Sequence, residues 1–421
     1  MVREIVSIQV GQCGNEIGSR FWSTLFREHD LSPDGSFVGD SDIELEKIKV
    51  YFDEVQKEKY VPRSIFVDFD KETLNNALIP FSNSYMKENV IYGQANVHSN
   101  WASCYYCCGL EIIDSIIDVV RKKAEKCDSI QGFQLIHSLG GCTGSGLGTL
   151  ILNQLQNEYS DVTLSTFSVF PSQKVLYSIL EPYNCILSLN KLIQTAEQVF
   201  YFDNEALYDH CINYQRHSTP SYDDFNYIIK SCMSGATCSL RFPELLNSDL
   251  RKISLNLIPY SHLKYLNITY APSISPGTTH CHHYTANELI SILLRNKKEK
   301  LLRAAVNFNG YFIQSDVYQN MHIINSHFDS MIKYSICRIP IQGHSKSATL
   351  IENSIDFHKL LKRQKSCFLE MFDKRKFIHI FTSEGLEEEE FANANLNVTN
   401  IINEYETIYQ NEEENIDDDD F

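Results

Sequence analysis

The chain has 421 residues, 43% of them hydrophobic, and a formal net charge of -17. That length and apolar content support the cores of two or three soluble globular domains. From Glu384 onward there are 14 of the 54 acidic residues and neither Lys nor Arg, so the rest of the chain is near -3. Without clustered basic residues the body does not suit nucleic acid, which is held through Lys and Arg contacts to phosphate, whereas the acidic end suits basic partners. MVREIVSIQV has a charged pair and only a short apolar run, so it reads as neither a signal peptide nor a membrane span. No run of about 18 apolar residues occurs elsewhere. The 13 cysteines are scattered rather than framed, which predicts reduced thiols in a cytosolic protein.

In chain order, IVSIQV predicts a strand, 15–28 a helix, RSIFVDF and NVIYG strands, 101–127 a helix and FQLIHSL a strand. LGTLILNQLQNEY then predicts a helix, VTLSTFSVF a strand, and 188–198 lies in a further helix. Such alternation predicts a doubly wound, mainly parallel sheet with ligands at the carboxyl ends of its strands. The periodic stretch 222–241 predicts one long helix leading to a smaller α+β domain, with strands KYLNITYAP, RAAVNFNG and SATLIENS and helices ANELISILLRNKKEKLL and SIDFHKLLKRQKSCFLEMF. Near the end, Phe391, Leu396, Val398, Ile401, Ile402 and Tyr405 predict the apolar face of a surface helix. The last eleven residues, NEEENIDDDDF, have the composition of a disordered acidic tail.

Two glycine-rich turns carry the chemistry. LGGCTGSGLGT, 139–149, follows a predicted strand and opens a helix, so its backbone N–H groups and the helix dipole favour an anion. It is neither a Walker loop nor a dinucleotide fingerprint, lacking the Gly-Lys-Ser/Thr of one and the distant acid of the other. A tight strand-to-helix connection would look similar. VGQCGNEIG, 10–18, repeats the context, so that two turns could face one triphosphate.

GQCGNEIG, GGCTGSG, DNEALYD, RFPELLNSDLRK and the acidic tail together resemble the tubulin family, in this order and over essentially the whole chain. Within it the β-tubulins are the most similar: Lys252 stands where α-tubulins carry a catalytic glutamate, and the α-type insertion in the later domain is absent. The resemblance implies a Rossmann-like GTPase domain (1–205), an α+β intermediate domain (206–371), a C-terminal helical hairpin (372–410) and the tail (411–421). It implies GTP or GDP held by Gln12, Cys13, Ser99, Ser138, Gly141, Cys142, Thr143 and Gly144 around phosphates and ribose, with Glu181 at the ribose. Asn204 and Asn226 would bond the guanine edge and Tyr222 would stack on the base. Asp68 and Asp70 would serve Mg²⁺, through water. The implied partners are α-tubulin, neighbouring subunits along and between protofilaments in cytoplasmic microtubules, and basic motors and microtubule-associated proteins on the tail. Hydrolysis would be coupled to assembly by a carboxylate from α-tubulin; Lys252, a cation facing the partner's nucleotide, cannot act as that base.

Several positions depart from the family pattern. Cys142 replaces a glycine, which requires a negative φ there; it is either a packing substitution or a thiol with a redox or exchange role. NVHSN, 96–100, replaces a glycine-rich γ-phosphate loop, with Ser99 at an asparagine and His98 a possible substitute donor. Tyr177 replaces an aspartate, Asp70 a glutamate, Tyr227 a histidine, Pro276 an arginine and Cys281 a tyrosine of the lateral loop. Adjacent His280, Cys281, His282 and His283 do not converge on one metal ion, and altered lateral bonding is the expected consequence. These changes leave two rivals: a non-hydrolysing subunit of a variant polymer, and a non-polymerising regulator that binds α-tubulin.

Overall fold

The computed structural model describes residues 3–39, 45–81, 87–93, 100–175, 178–215, 219–242, 248–273, 283–295, 301–325, 332–341 and 344–418. The chain begins with β1 (Glu4–Val10) and α1 (Gly11–Glu28), then a hairpin of β2 (Phe52–Gln56) and β3 (Lys59–Pro62), β4 (Ser64–Asp68), α2 (Lys71–Leu78) and β5 (Val90–Tyr92). A π-helical turn, Ser103–Cys107, enters α3 (Cys108–Glu125); β6 (Ile130–Ser138) follows, and a second π turn, Thr143–Leu147, enters α4 (Gly148–Glu158). Next come β7 (Thr163–Phe170), α5 (Glu181–Thr195), β8 (Gln198–Asp203), α6 (Asn204–Asn213), α7 (Tyr222–Arg241) and α8 (Leu250–Leu257). The remainder is β9 (Tyr265–Ala271), α9 (Ala286–Leu293), β10 (Leu301–Gly310), α10 (Gln314–Asn325), β11 (Lys333–Cys337), β12 (Lys346–Ser354), α11 (Phe357–Phe372), α12 (Ile378–Thr382) and α13 (Glu388–Asp418).

Ten strands form one sheet in the order β11-β10-β12-β9-β8-β7-β6-β1-β4-β5. From β5 to β9 every pairing is parallel, and β12 runs antiparallel between β9 and β10. This is the doubly wound α/β fold that the alternation predicts. Every residue of β1 and β7 is buried, which is why both read as continuous runs rather than alternating patterns. One face carries α3, α4, α5, α11 and α13 over Trp101, Ile116, Leu135, Tyr183 and Phe368; the other carries α1, α7 and α8 over Trp22, Phe66, Phe167 and Met233. Chain order reverses between β1 and β6, and α/β sheets bind ligands outside the strand ends at such a point.

Several predicted boundaries move. The first helix starts at Gly11, not 15, because Gly11 at φ 74° turns directly out of β1. The helix placed over 188–198 is α5, which stops at Thr195; Ala196 is extended and β8 follows. The helix predicted over 286–302 ends at Leu293, and Leu301 and Leu302 already belong to β10. Leu396 is 57% exposed, whereas Phe391, Val398, Ile401, Ile402 and Tyr405 are buried, so the apolar stripe passes it by. Finally, α13 continues past the expected boundary at 410 to Asp418. Helix extension adds one hydrogen bond per residue fixed, although acids at a C-terminal end oppose the helix dipole. The hairpin β2–β3 had no expected counterpart.

Beneath the sheet, Arg241 at the end of α7 pairs with Glu28 at 2.8 Å, both side chains almost fully buried. The guanidinium also donates to Ser234 O at 2.8 Å, and the Ser234 hydroxyl donates to Glu28 at 2.6 Å. Replacing Glu28→Ala leaves a buried cation without its counter-charge and is expected to cost about 3–5 kcal/mol. A thermal melt indistinguishable from the parent would contradict this.

Candidate nucleotide site

The carboxyl ends of β1 and β6 lie side by side, and both lead straight into helical turns. Neither turn has a side-chain cap or an acid in its first turn: Val10 precedes α1, and Cys142 precedes the Thr143–Leu147 turn. Side chains cap five other helices, Asp70 on α2, Asp203 on α6, Ser221 on α7, Asp249 on α8 and Thr285 on α9, whereas α3, α4, α5, α11 and α12 share the lack of a cap. Uncapped first-turn N–H groups at two adjoining helix starts are suited to an anion.

The turns interlock through glycines. A Cβ on Gly11 would stand 2.9 Å from Gly144 N, and one on Gly14 would stand 2.3 Å from Ile136 O. On Gly144 it would meet Ser138 O at 2.9 Å and Ser138 N at 3.0 Å. Cys142 has φ -70° and ψ -53°, the negative φ its side chain requires, so its N–H stays in the turn. Below the turn His137, fully buried, hydrogen-bonds Gly144 O through Nδ1 at 2.8 Å and lies 2.9 Å from Ser168 Oγ through Nε2. The carbonyl can only accept, which fixes the proton on Nδ1. Burial pushes the ring down to about 4, so it is neutral.

Two polar side chains tie the surrounding loops. Asn184 of α5 donates to Gly140 O at 2.8 Å and accepts from Trp101 N at 2.8 Å, which joins the phosphate turn to the segment just after 94–99. Truncation by Asn184→Ala orphans both backbone groups and is expected to cost about 1–3 kcal/mol, with faster amide exchange at Trp101. Unchanged exchange there would argue against this pinning role. Glu16 of α1 accepts from Gln12 at 3.0 Å and from Asn226 at 3.1 Å, linking the first turn to α7.

The predicted site residues fall as follows. Gln12, Cys13, Ser138, Gly141, Cys142, Thr143 and Gly144 come together at the two turns. Cys13 is half-buried, and burial pushes its thiol up to about 12. Glu181 borders the turn, its Cγ 3.2 Å from where a Cβ on Gly140 would stand. Asn204 opens α6, and Tyr222 and Asn226 lie in the first turns of α7. Tyr222 is 45% exposed, its hydroxyl donating to Val175 O at 3.3 Å and its ring set edge-on to Phe225 at 5.9 Å. Lys252 is exposed on α8 and donates to Ser248. Ser99, His98, Tyr177, Pro276, Cys281, His280 and His282 lie outside the described residues, and His283 is exposed.

Asp68 and Asp70 have different environments. Asp68, at the end of β4, is 4% exposed; it accepts from Phe69 N at 2.8 Å and from Asn15 at 3.4 Å. Burial outweighs those bonds and raises its carboxyl to about 6. Among the described residues no ion pair reaches this buried carboxylate, which fits a divalent ion that would reverse the shift. Asp70 instead spends both oxygens on α2, accepting from Thr73 Oγ1 at 2.5 Å and Glu72 N at 2.9 Å, and these bonds lower its carboxyl below the ordinary range. Among the described residues no group of three or more His, Cys, Asp or Glu could hold a metal ion on its own.

A doubly wound sheet with paired uncapped helix starts at its switch point defines a phosphate-binding α/β domain. Residues 4–212 match the GTPase domain of the tubulin/FtsZ family. The tubulin beta-5 chain of Ectocarpus variabilis is 41% identical over 96% of this chain and 95% of its own length, and the beta-6 chain of that organism is 40% identical over the same shares. The chain belongs to the tubulin family, as a divergent member on its β-tubulin side. It is a tubulin-type structural subunit with a GTPase domain, and the domain implies guanine nucleotide binding.

Proposed function

We propose that this chain is a β-tubulin-type subunit that binds GTP at the two glycine turns, pairs with α-tubulin and polymerises into microtubules. The observation that carries it is the pair of uncapped helix starts interlocked at Gly11 and Gly144. Main-chain amides of 11–14 and 141–144 take the phosphates, Glu181 the ribose, Asn204 and Asn226 the guanine edge, and Tyr222 its face. Bound Mg²⁺ would neutralise phosphate charge, with Asp68 as the principal holder and Asp70 in reserve, since α2 already claims the latter.

No residue here serves as a hydrolytic base; that carboxylate comes from the α-tubulin stacked on this nucleotide, so hydrolysis waits for assembly. The acidic end offers basic motors and associated proteins an attraction that salt screens within about 8 Å at physiological ionic strength. Among the described residues no helix is long and apolar enough to cross a membrane.

The test is to co-purify the chain with α-tubulin, supply GTP, image the product and assay released phosphate. Filaments with phosphate release support the reading. A pure folded heterodimer that carries no guanine nucleotide and assembles equally well without it would end it. Filaments retaining intact GTP would favour the non-hydrolysing subunit, which the engagement of Asp70 in capping also favours. Heterodimers without filaments would favour the regulator.

A further inference from the structure

Where α1 packs against α7, one carboxylate ties two amides. Glu16 accepts from Gln12 Nε2 at 3.0 Å through Oε1 and from Asn226 Nδ2 at 3.1 Å through Oε2. A second bridge lies beside it, Arg20 pairing with Asp223 at 2.6 Å, so that residues four apart on α1 face residues three apart on α7. Asn226 is 4% exposed, and among the described residues its side chain makes no other hydrogen bond.

These contacts fix which end of the Asn226 amide a ligand meets. A carboxylate has acceptors only, so the NH₂ end of the amide must face Glu16. The amide oxygen lies on the other side of the group and is the end left for a ligand. A freely turning amide would offer either end; with Glu16 in place it offers Oδ1.

We infer that Glu16 is a positioning residue that sets a preference for guanine, by holding Asn226 so that the site accepts hydrogen bonds where guanine donates them. This rests on the guanine edge lying at Asn226, as proposed above. Guanine presents N1–H and a 2-amino group, both donors. Xanthine carries a carbonyl at C2 and adenine a lone pair at N1, and each of these turns a lone pair toward Oδ1. A buried acceptor met by another acceptor loses its hydrogen bond, which is how a polar site rejects a base of nearly the same shape. Both oxygens of Glu16 already serve protein amides, so it acts through Asn226 and not on the base.

The experiment measures competition of GTP and of xanthosine triphosphate against fluorescent GTP, with Mg²⁺, on the full chain in its heterodimer. The parent is expected to prefer GTP. Glu16→Met has similar length, a good helix propensity and no such acceptor. It frees the amide to turn its NH₂ end toward the xanthine carbonyl, and the GTP-over-xanthosine preference is expected to fall about tenfold. Glu16→Gln keeps an oxygen for Asn226 Nδ2 and is expected to stay within about threefold of the parent.

A role for Glu16 in packing alone would weaken both nucleotides alike. An unchanged preference in Glu16→Met therefore overturns the inference, as does a Glu16→Gln variant that falls as far as Glu16→Met. A parent that does not distinguish the two nucleotides, or binds neither, removes the guanine placement itself and this inference with it. A selective parent with an equally selective Glu16→Met variant removes only the role of Glu16.

Discussion

Gly144→Ala is expected to weaken GTP binding by about 100-fold, or about 3 kcal/mol. The added methyl would stand 2.9 Å from Ser138 O and 3.0 Å from Ser138 N, both main-chain atoms at the end of β6. Neither can rotate aside, so the turn itself must shift, and first-turn N–H groups aimed at phosphate lose their alignment. His137 adds to the cost, because its hydrogen bond holds Gly144 O in place. Gly141→Ala is the control: the nearest atom to its methyl is Ser138 Oγ at 3.1 Å, a side chain that can turn. A titration with fluorescent GTP should separate the two variants widely. Equal affinities would mean that steric closure at Gly144 does not govern the site.

Asp68→Asn should produce opposite effects with and without Mg²⁺. The folded carboxyl lies near 6 and its ordinary value is 3.8, so between these the folded state holds the extra proton. Stability from this group is therefore present below pH 3.8 and is lost as pH rises through 6, a difference of about 3 kcal/mol. His137 acts with the other sign: with its folded value near 4 and its ordinary value 6.5, stability falls as pH drops from 6.5 toward 4. The variant should melt higher than the parent at pH 7 in chelator, and its melting point should rise with pH between 4 and 6.5. Its response to Mg²⁺ with GTP should be largely lost. A variant that gains no stability in chelator, or keeps the full Mg²⁺ response, would remove Asp68 from the metal role.

The glycine turns were legible in the sequence because close backbone approach leaves few residue types to choose from. The helix Tyr222–Arg241 was legible from its long apolar periodicity, and the capping box of Ser221 with Asp224 sets its start. Asn15, His137 and Asn184 were not. Each is a single polar residue whose partners, Asp68, Gly144 O and Gly140 O, are remote in sequence or set by the turn. Glu16 lay inside a quoted motif, yet its bond to Asn226 spans 210 positions and leaves no local signal. The helix read over 286–302 failed because hydrophobic spacing near 301 suits helix and strand alike, and pairing with β12 decides for strand.

The ladder between β8 and β9 is only three residue pairs long, Val199 to Tyr201 against Tyr265 to Asn267, whereas β6 and β7 share seven. The sheet is thus two broad plates welded along a short seam. Each rung lost there removes a large share of the weld, so torque applied across the molecule concentrates on it. Bending under load should begin at this seam, leaving the phosphate-gripping plate undistorted while its neighbour swings.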